Sequence, residues 1–373
     1  MSGDIQAVTM PKWGLAMEEG MVVAWHVEPG AQVQTGDDLA DIETTKITNV
    51  FESPAGGVLR RRVVEEGETV PVGALLGVIA VADTDEGEIE AFIARFNAAF
   101  EVQAKEAAES APEPQTLEVG GLPISYLRVG TGEGAPLVLV HGFGGDLNNW
   151  LFNLPALAES HSVYALDLPG HGRSGKAVSG AGLESLVETL AGFLAAVEID
   201  RAHLVGHSMG GAIALQLALA EPARAASLSL IAPAGLGPEI NADYIEGFIA
   251  AERRKEMKGV LQMLFADPEL VSRDMINDVL KYKRLDGVAA ALRSIADSVF
   301  PGGRQASLLA PRVSELGIPV QVLWGAADRV VPAAHAEALP GSVRVHSFED
   351  VGHMAHMEAA GEVNRLILEI AGG

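Results

Sequence analysis

The stretch Val205-Gly206-His207-Ser208-Met209-Gly210-Gly211 organises most of this 373-residue chain. A short apolar run, residues 202–205, precedes it, and a strong helix-forming run, residues 212–219, follows it. The G-x-S-x-G pattern therefore lies where a buried strand turns sharply into a helix, and its glycines leave room for that turn. The helix N-terminus beneath the serine presents free N–H groups to a developing oxyanion. We predict that Ser208 is a nucleophile; a tight turn without chemistry is the alternative.

Composition limits the classes of protein that the chain can represent. It has no cysteine, which excludes disulfides and thiolate catalysis, and we predict no metal site. A net charge of −24 argues against nucleic acid or an anionic membrane as partner. The N-terminal residues lack the features of a secretory signal, and no uncharged apolar run is of the kind that spans a membrane. We therefore expect a cytoplasmic protein, and the length favours two or three domains.

Residues 1–80 contain an internal repeat with a constant offset of 37. The segment Gly20–Gly30 aligns with Gly57–Gly67, and the match continues to Ile42 and Ile79. The repeated glycines fall where turns are expected, and the runs between them have the length of short strands. Two matching halves predict a small β-sandwich with approximate two-fold symmetry. Lys46 then lies at the turn that joins the halves.

Around this lysine the sequence resembles a lipoyl domain, the swinging-arm carrier of 2-oxo acid dehydrogenase-type complexes. That family modifies the lysine of an acidic-Thr-x-Lys hairpin, and Glu43-Thr44-Thr45-Lys46 fits the pattern. Thr45 departs from the acidic residue that is most common there. Biotinyl domains share the fold but usually flank their lysine with methionines, which Thr45 and Ile47 are not. The resemblance implies lipoate bound covalently to Lys46; an ordinary surface lysine is the alternative.

Residues 81–115 are predicted to be an acidic linker that contains one amphipathic helix. Its apolar stripe recurs at helical spacing and comprises Ile89, Phe92, Ile93, Phe96 and Phe100. We expect this stripe to pack on the domain that follows in the chain. The alternative is a docking surface for another subunit, because exposed apolar stripes mark interfaces.

Residues 116–373 alternate apolar strands with helical patterns, which predicts a mainly parallel sheet covered by helices on both faces. A buried strand at residues 136–140 runs into the glycine-rich turn His141-Gly142-Phe143-Gly144-Gly145. We predict that the backbone N–H groups of Phe143 and Met209 form an oxyanion hole. His141 lies at the end of the strand and is expected to be a structural hydrogen-bonding residue, not a base.

The loop Asp167-Leu-Pro-Gly-His-Gly-Arg-Ser174 closely resembles a signature loop of the α/β hydrolase family, in which Asp167 and Arg173 would tie the loop down. The family's chain order of serine, acid and histidine then implies Asp328, which follows a late strand, and His353, in a Gly-His turn. Asp328 would orient the His353 ring, and His353 would take the Ser208 proton.

Two further residues near the histidine turn compete for these roles. His356 and Asp350 are both close to His353 in the chain. We interpret His356 as a loop hydrogen-bonding residue and Asp350 as a turn residue.

Residues from about 237 to 310 interrupt the sheet pattern and predict a helical lid over Ser208, with helices at 242–257, 259–265, 273–281 and 288–299. Residues 239–304 include 11 acidic and 10 basic side chains, so the lid is close to neutral in a strongly acidic protein. Two basic runs, Arg253-Arg254-Lys255 and Lys281-Tyr282-Lys283-Arg284, are interpreted as ordinary solvated helix faces.

A lipoyl carrier fused to a serine acyl-transfer domain resembles, over the whole chain, the E2 subunits of acetoin dehydrogenase systems. The resemblance implies a homo-oligomer and two partner subunits, a thiamine diphosphate-dependent E1 and a flavin-dependent E3, the dihydrolipoamide dehydrogenase. It also implies that the acetyl group passes from lipoyl to coenzyme A. The H-x-x-x-D-G motif of ordinary E2 acyltransferase domains is not found, so transfer would use Ser208, Asp328 and His353. Two alternatives stay open: a thioesterase or esterase, and a carrier scaffold with an inactive hydrolase fold.

Overall fold

The computed structural model describes residues 5–13, 17, 19–44, 48–110, 112–178 and 182–372. The chain divides into two compact units, Met1–Ala111 and Pro112–Gly373. Among the described residues, no helix combines the length and the apolar character needed to cross a membrane.

The first unit is a sandwich of two four-stranded antiparallel sheets. Its strands are β1 (Gln6–Thr9), β2 (Glu19–Trp25), β3 (Gln32–Val33), β4 (Asp38–Glu43), β5 (Thr48–Glu52), β6 (Gly57–Arg62), β7 (Thr69–Pro71) and β8 (Leu75–Ala80). One sheet has the order β1-β8-β6-β3 and the other β5-β4-β2-β7. Apolar side chains of both sheets, such as Val22, Leu39 and Leu59, form the core between them.

The predicted repeat is confirmed strand by strand. The bounds of β4 and β8 differ by the repeat offset of 37, and so do the ends of β2 and β6, whose starts differ by 38. β3 of the first half pairs with β6 of the second, while β7 of the second half pairs with β2 of the first, so the halves exchange short strands. The paired glycines Gly30 and Gly67 both have positive φ, 96° and 86°, at equivalent turns that favour glycine.

A long helix, α1 (Glu86–Ser110), follows the sandwich, and its apolar stripe packs on the first unit's own strands. Ile89 is fully buried with Leu75 and Val78 of β8, and Phe92, Ile93 and Phe96 pack around them. Arg60 and Arg61 on β6 hold the helix from outside through ion pairs to Glu86. The expectation that the stripe packs on the following domain is therefore wrong, because the open face of β8 is adjacent in the chain and equally apolar.

The second unit is built on an eight-stranded sheet of order β16-β15-β14-β13-β11-β12-β10-β9. Its strands are β9 (Gln115–Val119), β10 (Leu122–Val129), β11 (Leu137–Val140), β12 (Val163–Leu166), β13 (Ala202–His207), β14 (Ala225–Ile231), β15 (Val320–Gly325) and β16 (Arg344–Phe348). The six strands from β16 to β12 in this order are parallel, β10 pairs antiparallel with β12, and β9 pairs antiparallel with β10. The mainly parallel sheet expected from the sequence is confirmed.

Ten helices belong to the described part of the chain, nine of them in the second unit. These nine are α2 (Leu154–Ala158), α3 (Leu183–Ala196), α4 (Met209–Ala220), α5 (Ala242–Ala250), α6 (Arg254–Leu261), α7 (Arg273–Lys283), α8 (Val288–Val299), α9 (Ala355–Glu358) and α10 (Ala360–Gly372). Short 3-10 turns occupy Leu147–Trp150, Pro222–Arg224, Gln262–Leu264, Pro268–Leu270, Pro301–Gly303, Ala310–Glu315 and Ala333–Ala338. Two apolar clusters, one on each face of the sheet, bury the strands that lead to the site.

Helices α5 to α8 form the insertion that the sequence predicts as a lid, but the first predicted helix is two helices. Helix α5 ends at Ala250 because the Lys283 ammonium donates to the carbonyls of Phe248, Ile249 and Ala251, which a continuing helix would use. The two stems of the insertion are tied together by the Leu309 N–H, which donates to the Gly235 carbonyl, and by a β-bridge between Glu239 and Arg304.

Candidate active site

Ser208 lies at the tip of a strained turn between β13 and α4. Its backbone has φ 54° and ψ −118°, a conformation that costs a serine on the order of 1–3 kcal/mol. Hydrogen bonds hold the turn: the Ser208 N–H donates to the Ile231 carbonyl over 2.9 Å, and the Ser208 carbonyl accepts from Ala234 N–H over 2.9 Å. A Cβ on Gly210 would lie 2.2 Å from the Val140 oxygen, so only glycine lets α4 begin this close to β11.

The glycine-rich turn after β11 lies directly beside the serine. A Cβ on Gly142 would approach the Ser208 Cβ to 3.0 Å. Within the described residues, the backbone N–H groups of Phe143 and Met209 donate to no protein acceptor. Met209 is the first residue of α4, whose N-terminus carries a partial positive charge. Both predicted oxyanion donors are therefore available beside Ser208, and their role in binding an oxyanion stays a prediction.

His141 is held in the turn, as the sequence analysis expected. Its Nε2 accepts from Leu168 N–H over 2.9 Å, so its proton is on Nδ1, which donates to the Gly142 carbonyl over 2.7 Å. Burial lowers the pKa of His141 to about 4. With both ring nitrogens engaged and the ring neutral, His141 has no capacity to act as a base for Ser208.

The loop after β12 is also tied down in the way that was predicted. The Asp167 carboxylate accepts from the backbone N–H groups of Leu147, over 2.8 Å, and Arg173, over 2.7 Å. A Cβ on Gly172 would lie 2.2 Å from this carboxylate, and its φ of 45° also favours glycine. Asp167 is thus a structural residue that closes its own loop.

Asp328 and His353 form a buried pair. The His353 Nδ1 lies 2.8 Å from the Asp328 Oδ2, and the two side chains are only 2% and 0% exposed. The other carboxylate oxygen, Oδ1, accepts from the N–H groups of Val330 and Val331 over 2.7 and 3.0 Å. An ionised carboxylate that accepts the Nδ1 proton leaves the Nε2 of His353 as the proton-accepting atom.

Ser208 and His353 are brought together through His207. The Nε2 of His207 lies 3.0 Å from the His353 carbonyl oxygen, and the two imidazole rings are in tilted contact with centroids 4.6 Å apart. Because His207 immediately precedes Ser208, this bond fixes the histidine loop against the nucleophile turn. Within the described part of the chain, no hydrogen bond joins the Ser208 hydroxyl to the His353 ring. The catalytic roles of the three residues stay predictions.

The competing residues have different surroundings from those expected for catalysis. Asp350 is an exposed turn residue, as predicted. The prediction for His356 was wrong: its ring nitrogens are buried and have no hydrogen-bond partner among the described residues. The ring instead packs 4.6 Å from the Trp150 ring and 4.5 Å from the His207 ring. His356 is therefore an aromatic core residue, and burial lowers its pKa to about 3.

Trp324 is a site residue that sequence reasoning missed. Its indole Nε1 donates to the Asp328 Oδ2 over 3.0 Å, so the oxygen that faces His353 accepts two hydrogen bonds. From the sequence, Trp324 is only a residue of the late strand that precedes Asp328. The spacing between Trp324 and Asp328 does not predict their hydrogen bond, because that bond depends on the path of the loop between them.

The lid contacts the histidine loop through backbone atoms. The Leu264 carbonyl accepts from the N–H groups of His353, over 2.8 Å, and Met354, over 3.2 Å. A Cβ on Gly352 would lie 2.6 Å from the Ala266 nitrogen, so glycine permits this approach. The Glu358 carboxylate accepts from Ala266 N–H over 2.8 Å and Gly352 N–H over 2.9 Å, and it bridges the two segments.

Aromatic side chains of the insertion surround the predicted oxyanion turn. The Phe143 ring contacts Phe248 of α5 and Phe300, with centroid distances of 6.0 and 6.1 Å. A Cβ on Gly144 would lie 2.5 Å from the Phe248 ring, so α5 lies directly on the turn. These rings make an apolar wall beside the predicted oxyanion turn.

Lys46, the predicted carrier lysine, lies outside the described residues. The strands on either side of it, β4 and β5, pair antiparallel with Glu43 opposite Thr48. Attachment of lipoate to Lys46 stays a prediction. No cluster of metal-ligating side chains occurs in the ranges that the structure describes.

Comparison with protein-family models assigns each unit separately. Residues 6–79 match the model described as biotin-requiring enzyme, and residues 135–360 match the model of the alpha/beta hydrolase fold. The two matches agree with the sandwich and with the eight-stranded sheet, respectively.

Full-length relatives contain both units. The chain is 48% identical to the dihydrolipoyllysine-residue acetyltransferase component of the acetoin cleaving system of Pseudomonas putida, over 98% of either chain. It is 45% identical to the component of the same name from Cupriavidus necator, over 100% of this chain and 99% of the relative. Among solved structures, a meta-cleavage product hydrolase from Pseudomonas fluorescens aligns with 69% of this chain and 97% of its own, with 25% identity and a TM-score of 0.63.

Proposed function

This chain belongs to the family of dihydrolipoyllysine-residue acetyltransferase components of acetoin cleaving systems, and on that basis we propose that it moves an acetyl group from lipoyl-Lys46 to coenzyme A through Ser208. The observation that supports the proposal most is similarity over both units at once, 48% identity across 98% of the chain. A carrier and an acyl-transfer site in one chain are what such a transfer requires. The partners would be a thiamine diphosphate-dependent E1, a flavin-dependent E3 and further copies of this chain.

Lipoate on Lys46, when bound, would supply the acetyl group as a thioester. In the first half-reaction, His353 Nε2 takes the Ser208 proton, and Ser208 Oγ forms a bond to the thioester carbonyl carbon. The N–H groups of Phe143 and Met209 stabilise the oxyanion. Collapse of this intermediate breaks the carbon–sulfur bond, and His353 returns the proton to the departing sulfur. Acetyl-Ser208 remains.

In the second half-reaction His353 acts again as base. It takes the proton of the coenzyme A thiol, whose sulfur attacks the acetyl-serine carbonyl in the same oxyanion hole. The carbon–oxygen bond to Ser208 breaks, and His353 protonates the serine. Asp328 holds the imidazole in the required tautomer throughout and stabilises its charged form. The aromatic wall and the lid reduce access of water to the acetyl-serine.

One rival has a specific observation in its favour. The second unit aligns with a hydrolase structure, in which the acceptor is water, at a TM-score of 0.63. The same serine site would then release acetate. Transfer to a thiol and transfer to water differ only in the acceptor, so their products distinguish them.

The test uses full-length, lipoylated protein and acetyl-dihydrolipoamide as donor. Ser208→Ala should lower the rate of acetyl-coenzyme A formation by at least about a thousandfold, since removal of a triad member costs several powers of ten. Reductive acetylation of the lipoyl group by the E1 partner should persist in this variant. Ser314→Ala, which changes an exposed serine, is the control and should keep wild-type activity.

Two results would contradict the proposal. Acetyl-coenzyme A formation at the wild-type rate by Ser208→Ala would exclude the serine mechanism. Free acetate as the main product of the wild-type protein at saturating coenzyme A would favour the hydrolase. In the same preparations, Lys46→Arg should lose the lipoyl mass increment in intact mass spectrometry, whereas Lys12→Arg should keep it.

A further inference from the structure

Five cationic side chains of the insertion form a basic patch, which we define as Arg253, Arg254, Lys255, Lys258 and Arg284. All five are exposed. On α6 the buried residues are Met257, Val260 and Leu261, whereas Arg254, Lys255 and Lys258 are exposed.

The two basic runs of the sequence meet at the start of α6. Lys283, the last residue of α7, donates to the carbonyls of Phe248, Ile249 and Ala251, which immediately precede α6. Burial lowers the pKa of Lys283, and the neighbouring charges of Glu252 and Glu256 act in the opposite direction. The end of α7 is therefore beside the N-terminal turn of α6, and Arg284, the next residue, extends the patch from that side.

Residues 252–258 carry four basic and two acidic side chains, so the patch keeps an excess of positive charge. Within the described residues none of its five side chains forms an ion pair, whereas other exposed arginines, such as Arg293 and Arg365, pair with carboxylates. Glu256, the one acidic residue of α6, accepts instead from the backbone N–H groups of Glu252 and Arg253, both over 3.2 Å.

This arrangement works against the stability of the helix. Like charges at spacings of three and four residues, as at Lys255 and Lys258 or Arg254 and Lys258, destabilise a helix. Arg254 and Lys255 also lie in its first turn, where the helix dipole disfavours positive charge, whereas Glu256 and Lys258 are favourably placed. In a chain of net charge −24, an exposed cluster with an excess of positive charge is suited to an external anion.

The patch is connected to the candidate active site by a single short element. α6 continues into the 3-10 turn Gln262–Leu264, and the Leu264 carbonyl accepts from His353 N–H over 2.8 Å. The ten residue-to-residue steps from Arg254 to Leu264 span about 15 Å at a helical rise. A ligand that reaches from the patch to Ser208 therefore needs a long, narrow arm between its anionic end and its reacting end.

We propose that the basic patch binds the phosphate groups of the acceptor thiol, coenzyme A, while its pantetheine arm extends to Ser208. This inference rests on the proposed function, because it names where the acceptor of that reaction is held. The adenosine 3′-phosphate and the diphosphate supply the negative charge that the patch lacks, and guanidinium groups bind phosphate oxygens in pairs. The extended pantetheine arm is comparable in length to the distance from Arg254 to Leu264.

The binding test uses the full-length Ser208→Ala protein, which cannot turn over. Isothermal titration with coenzyme A and with adenosine 3′,5′-bisphosphate should give dissociation constants at least tenfold higher when Arg254→Glu and Lys258→Glu are added. Arg254→Gln with Lys258→Gln should raise them less, in the same direction. Arg344→Glu makes the same change of charge on exposed β16 and serves as the control.

The kinetic test uses the wild-type serine and compares two acceptors. Arg254→Glu with Lys258→Glu should lower the ratio of kcat/KM for coenzyme A to kcat/KM for pantetheine, which has no phosphate, by at least tenfold. Wild-type dissociation constants in the double variant, or an equal loss with both acceptors, would overturn the inference. If the wild-type protein makes no acetyl-coenzyme A at all, the proposed function fails, and the titrations still decide whether the patch binds the phosphates.

Discussion

At the scale of single residues, the carboxylate of Asp328 is fixed by four donors. His353 and Trp324 donate to one oxygen, and two backbone N–H groups donate to the other. A carboxylate with this many donors cannot rotate without breaking several bonds, so the His353 ring is oriented before any substrate binds. Part of that orientation comes from Trp324, which touches no reacting atom and is a positioning residue.

We predict that Trp324→Phe lowers kcat/KM by roughly tenfold, because a hydrogen bond to a charged group contributes about 1.5–3 kcal/mol and about 1.4 kcal/mol corresponds to a factor of ten in rate. Initial rates of acetyl transfer measured across pH should also show the base of the reaction titrating at a changed pH, an effect that lost packing alone would not produce.

Trp150→Phe is the matched control for this substitution. Trp150 is equally buried, but its Nε1 has no hydrogen-bond partner in the described structure. The Trp150→Phe variant should therefore keep the wild-type kcat/KM and pH profile. An equal loss of kcat/KM in both variants, with an unchanged pH profile, would mean that Trp324 contributes only packing.

Sequence reasoning at this scale succeeded where a residue's role follows from its position at the end of a strand. The turn at Ser208 and the pairing of Asp328 with His353 were predictable because motif and strand order fix them. The environments of Trp324 and His356 were not, because each depends on how distant loops fold over the residue. His356 shows this most clearly: it was predicted to form hydrogen bonds in a loop, but it lies in α9 and packs in an aromatic core.

At the scale of helices and strands, the long helix α1 belongs structurally to the carrier sandwich. Its stripe covers β8, with the Phe92 and Phe96 rings 6.2 Å apart. The helical periodicity predicted the helix and its apolar face but not the surface that it covers, since any apolar surface satisfies the pattern. The break between α5 and α6 was likewise unpredictable, because its cause, Lys283, lies in α7.

We predict that Phe92→Ser with Phe96→Ser lowers the unfolding free energy of the first unit by about 2–4 kcal/mol, because each half-buried ring loses part of the 1.5–3 kcal/mol of full burial and gains a hydroxyl. Scanning calorimetry of the full chain should show a lower transition temperature for that unit.

Arg95→Ser, on the exposed face of the same helix, is the control and should leave the transition temperature unchanged. Light scattering on the same samples tests the other possibility, that the stripe contacts another subunit. An unchanged transition together with a smaller assembly mass would instead identify the stripe as a contact between subunits.

At the scale of the whole molecule, neutral histidines are buried throughout the second unit. Burial lowers the pKa of His141 to about 4 and the pKa values of His171 and His356 to about 3. In the unfolded chain these groups titrate near their ordinary pKa of about 6.5. Below that pH the unfolded state binds protons that the folded state excludes, so the free energy of unfolding falls as the pH falls towards the folded values.

We predict a loss of about 1.4 kcal/mol per pH unit for each of these histidines between roughly pH 6 and pH 4. Scanning calorimetry across this range should show the transition of the second unit falling steeply. His171→Gln keeps an acceptor for Gly144 N–H, which donates to His171 over 3.1 Å in the native protein. The substitution removes one titrating group, so the transition temperature of this variant should fall less steeply with falling pH.

His26→Gln changes an exposed histidine of the first unit and should leave that slope unaltered. A wild-type slope in His171→Gln would show that acid sensitivity has another origin, such as the carboxylates of this acidic chain.

The hydrogen bonds that the N–H groups of His353 and Met354 donate to the Leu264 carbonyl join the insertion to the backbone of the proposed base. Under the proposed mechanism, a displacement of the Leu264 segment would break hydrogen bonds of that backbone, so closure of the insertion and alignment of the His353 ring would be thermodynamically coupled. An opening that admitted water would then also displace the group that activates it, and an acyl-enzyme would be protected kinetically as well as by exclusion of water.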